Sequence, residues 1–206
     1  MHVEVAEVGA RGIDSLQFSQ SGTLAQAKAL KASGVDFVVG YLGAVSKERL
    51  QHILDAGLAF MPCTFAATKY DGQNSVNQCK ALGLPPGVTT WLDLEGPGAM
   101  KYPPPQLASL IDGWATAIDA AGYEPGLYVG APQPLTSSEL WKLKVRRYWN
   151  ALSRETDRYG QLAEPKSGYC LNQLYPSVVW RNTGVFVDVN FVGKDFLGRL
   201  PSWVKA

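Results

Sequence analysis

Hydrophobic and polar positions along this chain follow two periods, one of two residues and one of between three and four, and the pattern switches repeatedly between them. Gly12-Ile13-Asp14 reads as a short strand running into a loop. Leu24, Ala27, Leu30 and Ala32 then mark a helix that Gly34 ends. Residues 36–42 form a second apolar run, and Ser46 is placed to cap a helix carrying Leu50, Ile53 and Leu54 on one stripe. Gly57 closes that helix before a third strand at 58–65. A short helix fits 74–82 and a fourth strand fits 88–95. Pro103-Pro104-Pro105 then opens an amphipathic helix with Leu107, Leu110, Ile111, Trp114 and Ile118 on one face, as far as Gly122. Beyond it the spacing tightens, with strand-like segments at 126–130, 147–151, 169–174 and 185–190 and one short helix near 137–144.

Strands alternating with helices argue for parallel βαβ units. Eight strands with about five helices predict an α/β fold, an irregular TIM-like (β/α) barrel. Its last crossover helices are reduced or missing, so antiparallel hairpins are expected among the late strands. A flavodoxin-like open sheet is the alternative. It accommodates eight strands less easily, and the turn Asp14-Ser15-Leu16-Gln17 lacks the glycine-rich phosphate loop of a nucleotide-binding sheet.

At 206 residues a single domain spanning 1–206 is expected. A formal net charge of +1 without a basic run excludes a field able to hold a phosphate backbone, so no nucleic-acid partner is expected. No apolar run approaches the length of a membrane span. Cys63, Cys79 and Cys170 are widely spaced and odd in number, which fits buried free thiols better than a disulfide framework or a zinc site. His2 and His52 are the two histidines, and His52 reads as a surface residue in mid-helix. That is too little for a clustered-histidine metal site or a Ser-His or Cys-His nucleophile, so neither a metal nor a cofactor is expected. Residues 1–7 have no basic stretch followed by an apolar one. The expectation is a protein made in the cytoplasm that reaches an extracytoplasmic substrate by phage-type or dedicated export.

The candidate chemistry is acidic. In Trp91-Leu92-Asp93-Leu94-Glu95, alternation puts Trp91, Asp93 and Glu95 on one face, the two carboxylates ~7 Å apart along the strand. Burying two ionised acids without partners costs several kcal/mol, so such a pair at the end of a buried strand points to use. Barrel strands carry their chemistry at the C-terminal end, where Asp14 ends the first strand and Asp93 with Glu95 the fourth. Asp188 sits in the last strand, with Asn190 on the same face. Closure makes the first and eighth strands neighbours, so Asp14 and Asp188 should meet and the acids converge on one mouth. Repulsion among them raises at least one pKa, which yields a proton holder beside anions, as glycoside hydrolysis requires. Tyr41, Phe65, Tyr128, Trp149 and Tyr175 lie in or near strand ends and could stack on sugar faces.

Gly12-Ile13-Asp14, Leu92-Asp93-Leu94-Glu95, Gly126-Leu127-Tyr128, Tyr148-Trp149-Asn150-Ala151, Asn172-Gln173-Leu174-Tyr175 and Val187-Asp188-Val189-Asn190 together resemble the ordered landmarks of the GH25 lysozymes. More closely they resemble the Rv2525c-like glycoside hydrolase-like domains (DUF1906). The resemblance implies an irregular barrel with a site that cleaves peptidoglycan or a related glycan. Glu95 would be the general acid, Asp93 its activating or stabilising partner, and Asp14 and Asp188 the floor, with Gln173 among the substrate contacts. A catalytically silent wall-binding module and a structural domain of a phage tail or secreted effector are the alternative readings.

Overall fold

The protein, a computed structural model, is described for residues 1–65, 70–152, 164–180 and 183–206, the side chains of Leu152, Tyr175 and Pro176 excepted. A short β1 (His2–Val5) precedes β2 (Arg11–Asp14), α1 (Leu16–Ser21), α2 (Leu24–Ala32), β3 (Phe37–Tyr41), α3 (Lys47–Asp55), β4 (Ala59–Phe65), α4 (Gly72–Leu82) and β5 (Thr89–Leu94). Then follow α5 (Gly96–Met100), α6 (Pro104–Ala120), β6 (Glu124–Val129), α7 (Ser137–Lys142), β7 (Arg147–Leu152), β8 (Leu171–Val179), β9 (Phe186–Val192) and β10 (Ser202–Lys205).

Strands β2 to β9 close into an eight-stranded barrel. From β2 through β8 each strand pairs parallel with the next, while β9 runs antiparallel to both β8 and β2 and completes the ring. The eight expected strands are thus the barrel staves, and the hairpin expected late in the chain is β8–β9. Seven helices lie among the described residues, against about five expected. The extra ones are α1, where a loop is expected, and α5. Ser15 starts α1 by accepting from the Phe18 N–H, so the turn after Asp14 is helical from its first residue. The sequence pattern also omits β1 and β10, a two-stranded flap that joins the barrel at β4 through Val204 and Phe60.

Alternation sorts each stave between two cores. On β5, Leu92 and Leu94 face outward to α6, whose Leu107, Ile111, Trp114 and Ile118 are buried in the same cluster. Trp91 faces the interior with Phe37, Val39, Met61, Cys63 and Trp149. Trp91 fits because its β6 register partner is Gly126, where a Cβ would lie 2.4 Å from the indole. Ala6, Ala10 and Trp203 plug the opposite end of the barrel, which leaves the C-terminal end of the strands as the open mouth. Cys63, Cys79 and Cys170 are buried and free. His52 is half-buried in α3, its Nδ1 3.4 Å from the Gly22 carbonyl, rather than fully exposed. Among the described residues no helix is long and apolar enough to cross a membrane.

Candidate active site

The β2–β9 pairing sets Asp14 directly opposite Asp188, the neighbourhood that barrel closure requires. Asp14 is 2% exposed, and three donors fix its carboxylate. Gln173 Nε2 (3.0 Å) and Asn190 Nδ2 (2.7 Å) donate to Oδ2, and the Tyr41 hydroxyl (3.2 Å) donates to Oδ1. Each amide is itself oriented from behind. Gln173 Oε1 accepts from the Tyr128 hydroxyl at 2.8 Å, and Asn190 Oδ1 accepts from Trp149 Nε1 at 2.9 Å. Five side chains from five strands therefore hold one carboxylate. Burial, and next the charge of Asp188, push Asp14 up to about 7, and the three hydrogen bonds restrain the rise. Asp188 is half-buried and raised by desolvation, with the Ser177 hydroxyl donating to its Oδ1 in opposition.

Asp93, next to the last residue of β5, is 5% exposed, and its Oδ1 has no hydrogen-bond partner among the described residues. Burial raises its pKa well above the ordinary carboxylate range, and the charges of Glu95 and Asp14 add to the rise. A buried carboxyl without a hydrogen-bond partner on one oxygen resists ionisation. Glu95 lies one residue beyond the strand, in the N-cap position of α5, and is exposed. It shares the mouth with Asp93 at the rim, outside the barrel interior. Its side chain crosses Gly130, the residue after β6, so closely that a Cβ there would lie 2.4 Å from Glu95 Oε2 and 2.6 Å from Glu95 Cβ.

These groups line a pocket of about 250 Å³ that contains Asp14, Tyr41, Asp93, Glu95, Tyr128, Trp149, Gln173 and Asp188, with Ala131, Leu174 and Ser177. Seven strands and the N-cap of α5 thus bring the four expected acids together with four of the six expected contact residues. Phe65 stands just outside, its ring 5.5 Å from that of Tyr41. Tyr175 belongs to β8, but its side chain lies outside the described residues. Trp149 is 1% exposed, its ring tilted at 62° against Tyr128, so it forms the wall and floor of the pocket rather than an open platform. Burial and the surrounding acids raise the Tyr41 and Tyr128 hydroxyls well above 10, which keeps both as neutral donors. Among the described residues no group of three or more His, Cys, Asp or Glu side chains is arranged to hold a metal ion.

Three participants escape a reading of the sequence as a list of acids and aromatics. Asn190 is signalled only by sharing the face of Asp188. Ser177 reaches Asp188 because two extra residues on β8 interrupt the pairing between Leu174 and Val178. Gly130 is revealed only by what lies across it.

The fold is shared with a protein known at 1.07 Å, an uncharacterized protein of B. stearothermophilus. It superposes with a TM-score of 0.69 at 18% identity, over 93% of this chain and 100% of that one. A xylose isomerase-like TIM barrel protein from Mycobacterium smegmatis, determined with magnesium, is similar more distantly, with a TM-score of 0.45 at 10% identity over 89% of this chain and 80% of that one. No protein of curated function matches in sequence. The family model of the Rv2525c-like, glycoside hydrolase-like domain matches residues 28–169, from α2 through β7 and up to the start of β8, and so takes in Asp93, Glu95, Tyr128 and Trp149. The chain belongs to the Rv2525c-like glycoside hydrolase-like family.

Proposed function

We propose that the protein is a glycoside hydrolase that cuts a neutral cell-wall glycan by carboxylate acid catalysis, with the peptidoglycan backbone as the substrate its lysozyme resemblance implies. The convergence of Asp14, Asp93, Glu95 and Asp188 on one pocket at the barrel mouth carries the reading. An anionic ligand would meet four carboxylates there, so a neutral sugar fits better. Hydrolysis of its glycosidic bond needs one proton donor and anionic support for an oxocarbenium-like transition state.

Glu95, at the rim, is the donor to the leaving oxygen. Asp93 beneath it holds a proton because it is buried and because Glu95 repels its charge. A glycan seated over the mouth removes water from Glu95, which raises the proton affinity of that carboxylate and lets the shared proton pass outward from Asp93 to Glu95 and on to the bond. Asp14, fixed by its three donors, and Asp188 beside it then face the positive charge developing on the sugar ring. A water molecule that adds to the carbon bearing that charge forms the new C–O bond and returns a proton to the carboxyl groups. Action at the wall would follow phage-type or dedicated export.

The test is to incubate the purified protein with peptidoglycan and look for new reducing ends by mass spectrometry, with Glu95→Gln run beside it. New ends from the native protein and none from the folded variant are expected, because the amide cannot donate the proton. Glycan binding without new ends from the native protein would sink the hydrolase and leave a wall-binding module.

A further inference from the structure

At the closed end of the barrel, opposite the acids, the turn between β9 and β10 presents two adjacent large apolar side chains to water. Phe196 is 74% exposed and Leu197 59%. We propose that this tip is an interfacial anchor, Phe196 and Leu197 entering the headgroup boundary of an anionic lipid bilayer, so that the protein sits on a membrane with its acid mouth turned away from the lipid.

The turn is built to hold the pair outward. Asp195 is buried at its centre, where Oδ1 accepts from the N–H groups of Leu197 (3.0 Å) and Arg199 (2.8 Å) and Oδ2 accepts from Arg199 Nε (2.7 Å). The Phe196 N–H donates to the Ser167 carbonyl at 2.7 Å, the Gly198 N–H to the Asp195 carbonyl at 2.9 Å and the Asp195 N–H to the Arg199 carbonyl at 3.2 Å. One edge of the Phe196 ring rests on Gly168, where a Cβ would come within 3.1 Å of it. The pair cannot fold inward without breaking these bonds and exposing a buried carboxylate. Apolar side chains fixed in water in this way mark a surface made to be covered.

Three features select lipid as the cover. Every backbone N–H from Asp195 through Arg199 already has an acceptor within the fold, so the tip enters an apolar medium without stranding a donor. Val5 and Val8 are also exposed at this end, where the Ala6 and Gly9 N–H groups donate to the Pro201 and Val192 carbonyls. Four such side chains on a convex end fall far short of the about 20–30 residues a side of a stable protein interface, whereas a fluid bilayer needs no matching shape. Charge agrees. Lys194 stands two residues before Phe196, and Lys166 adjoins the Ser167 that holds it; both are exposed and placed to reach headgroup phosphates while the apolar tip goes deeper. Arg199 neutralises Asp195. Glu7 and Glu164, exposed at the same end, temper the attraction, so insertion of the tip supplies most of the affinity and the attachment is reversible.

The test is sedimentation of the full chain with unilamellar vesicles, either equal parts phosphatidylcholine and phosphatidylglycerol or phosphatidylcholine alone. The native protein is expected to pellet with the anionic vesicles at millimolar lipid. Phe196→Ser and Leu197→Ser should each lower partitioning about tenfold. Lys166→Ala and Lys194→Ala should each lower it about fivefold on the anionic vesicles and leave phosphatidylcholine unaffected. Val8→Asp, on a different element, should also weaken binding, so that a distorted turn cannot by itself mimic the result; thermal melts of all variants are expected to match the native protein. A native protein that stays in solution at millimolar anionic lipid overturns the anchor, as does unchanged partitioning of the Phe196→Ser and Leu197→Ser variants. A native dimer in sedimentation equilibrium that the same two substitutions dissolve, without vesicle binding, overturns it by assigning the tip to a second copy of the chain. Glu95→Gln should bind vesicles like the native protein whether or not the barrel mouth hydrolyses glycans, so failure of the anchor and failure of the glycosidase reading are told apart.

Discussion

Gly130→Ala is the sharpest perturbation of the site. The alanine Cβ would lie 2.4 Å from Glu95 Oε2, 2.6 Å from Glu95 Cβ and 2.7 Å from Tyr128 Cε1. Carbon atoms in contact sit at about 3.5–4.0 Å, so Glu95 and the strand end must part by about 1 Å. The carboxylate could swing aside by rotation, but Glu95 Cβ moves only with the backbone. That backbone is tied across the gap by the Gly130 N–H to Leu94 carbonyl bond of 2.9 Å. Alanine itself suits the backbone, because Gly130 is not among the glycines of positive φ. Overpacking of this kind costs about 1–3 kcal/mol of stability. A displacement of 1 Å at a reacting group costs about 10²-fold in rate. Reducing-end release from peptidoglycan should therefore show kcat down by about two orders of magnitude with KM little changed, in a protein that still melts cooperatively. In a Glu95→Gln background the same substitution should lower the rate no further. A Gly130→Ala enzyme within about threefold of native kcat would refute Glu95 as a donor that must be held in place.

Asp14→Asn tests the raised acid. Its carboxyl binds a proton more tightly folded, at about 7, than its ordinary 3.8, so its contribution to stability is fully present below pH 4 and is lost as pH rises through 7; the difference is worth about 4 kcal/mol. Denaturant melts across that range should find the variant close to native at pH 4 and more stable at pH 8, and a pH-independent difference would contradict the assignment. Asp93→Asn should depress hydrolysis severely without abolishing it, and a full native rate in reducing-end assays would reduce Asp93 to a structural part. Trp149→Phe removes the donor to Asn190 Oδ1, a buried acceptor, at a loss of about 1–3 kcal/mol by thermal unfolding. It should also raise the Asp14 titration followed by carbon NMR, because the Asn190 amide is no longer oriented toward it.

How much of this was legible in the sequence depended on whether a feature repeats. Most of the staves were legible because short apolar runs recur between helical stretches, as strands covered on both faces produce. Asp14 and Asp188 were legible as neighbours because closure of a barrel is a topological necessity rather than a local preference. Short elements are not legible in that way. The six residues of α1 and the five of α5 complete too few turns to show a helical period, and four-residue β1 and β10 are held by pairing with each other and with β4.

The same distinction separates the acids from what controls them. Alternation puts Glu95 on the face of Asp93, but the chain turns into α5 at Glu95, so one acid becomes interior and the other rim, which is what lets their proton affinities differ. The partners that tune Asp14 come from β3, β8 and β9, each far from Asp14 itself along the chain. An amide in a sequence carries no mark of whether its oxygen or its nitrogen will face a carboxylate. Here Tyr128 and Trp149 decide it by donating to the oxygens, leaving only the nitrogens for Asp14. The two aromatics that read as stacking surfaces thus act on the charge of the site through two amides, a role set by three-dimensional wiring, and their substitution should be read first in the titration of Asp14.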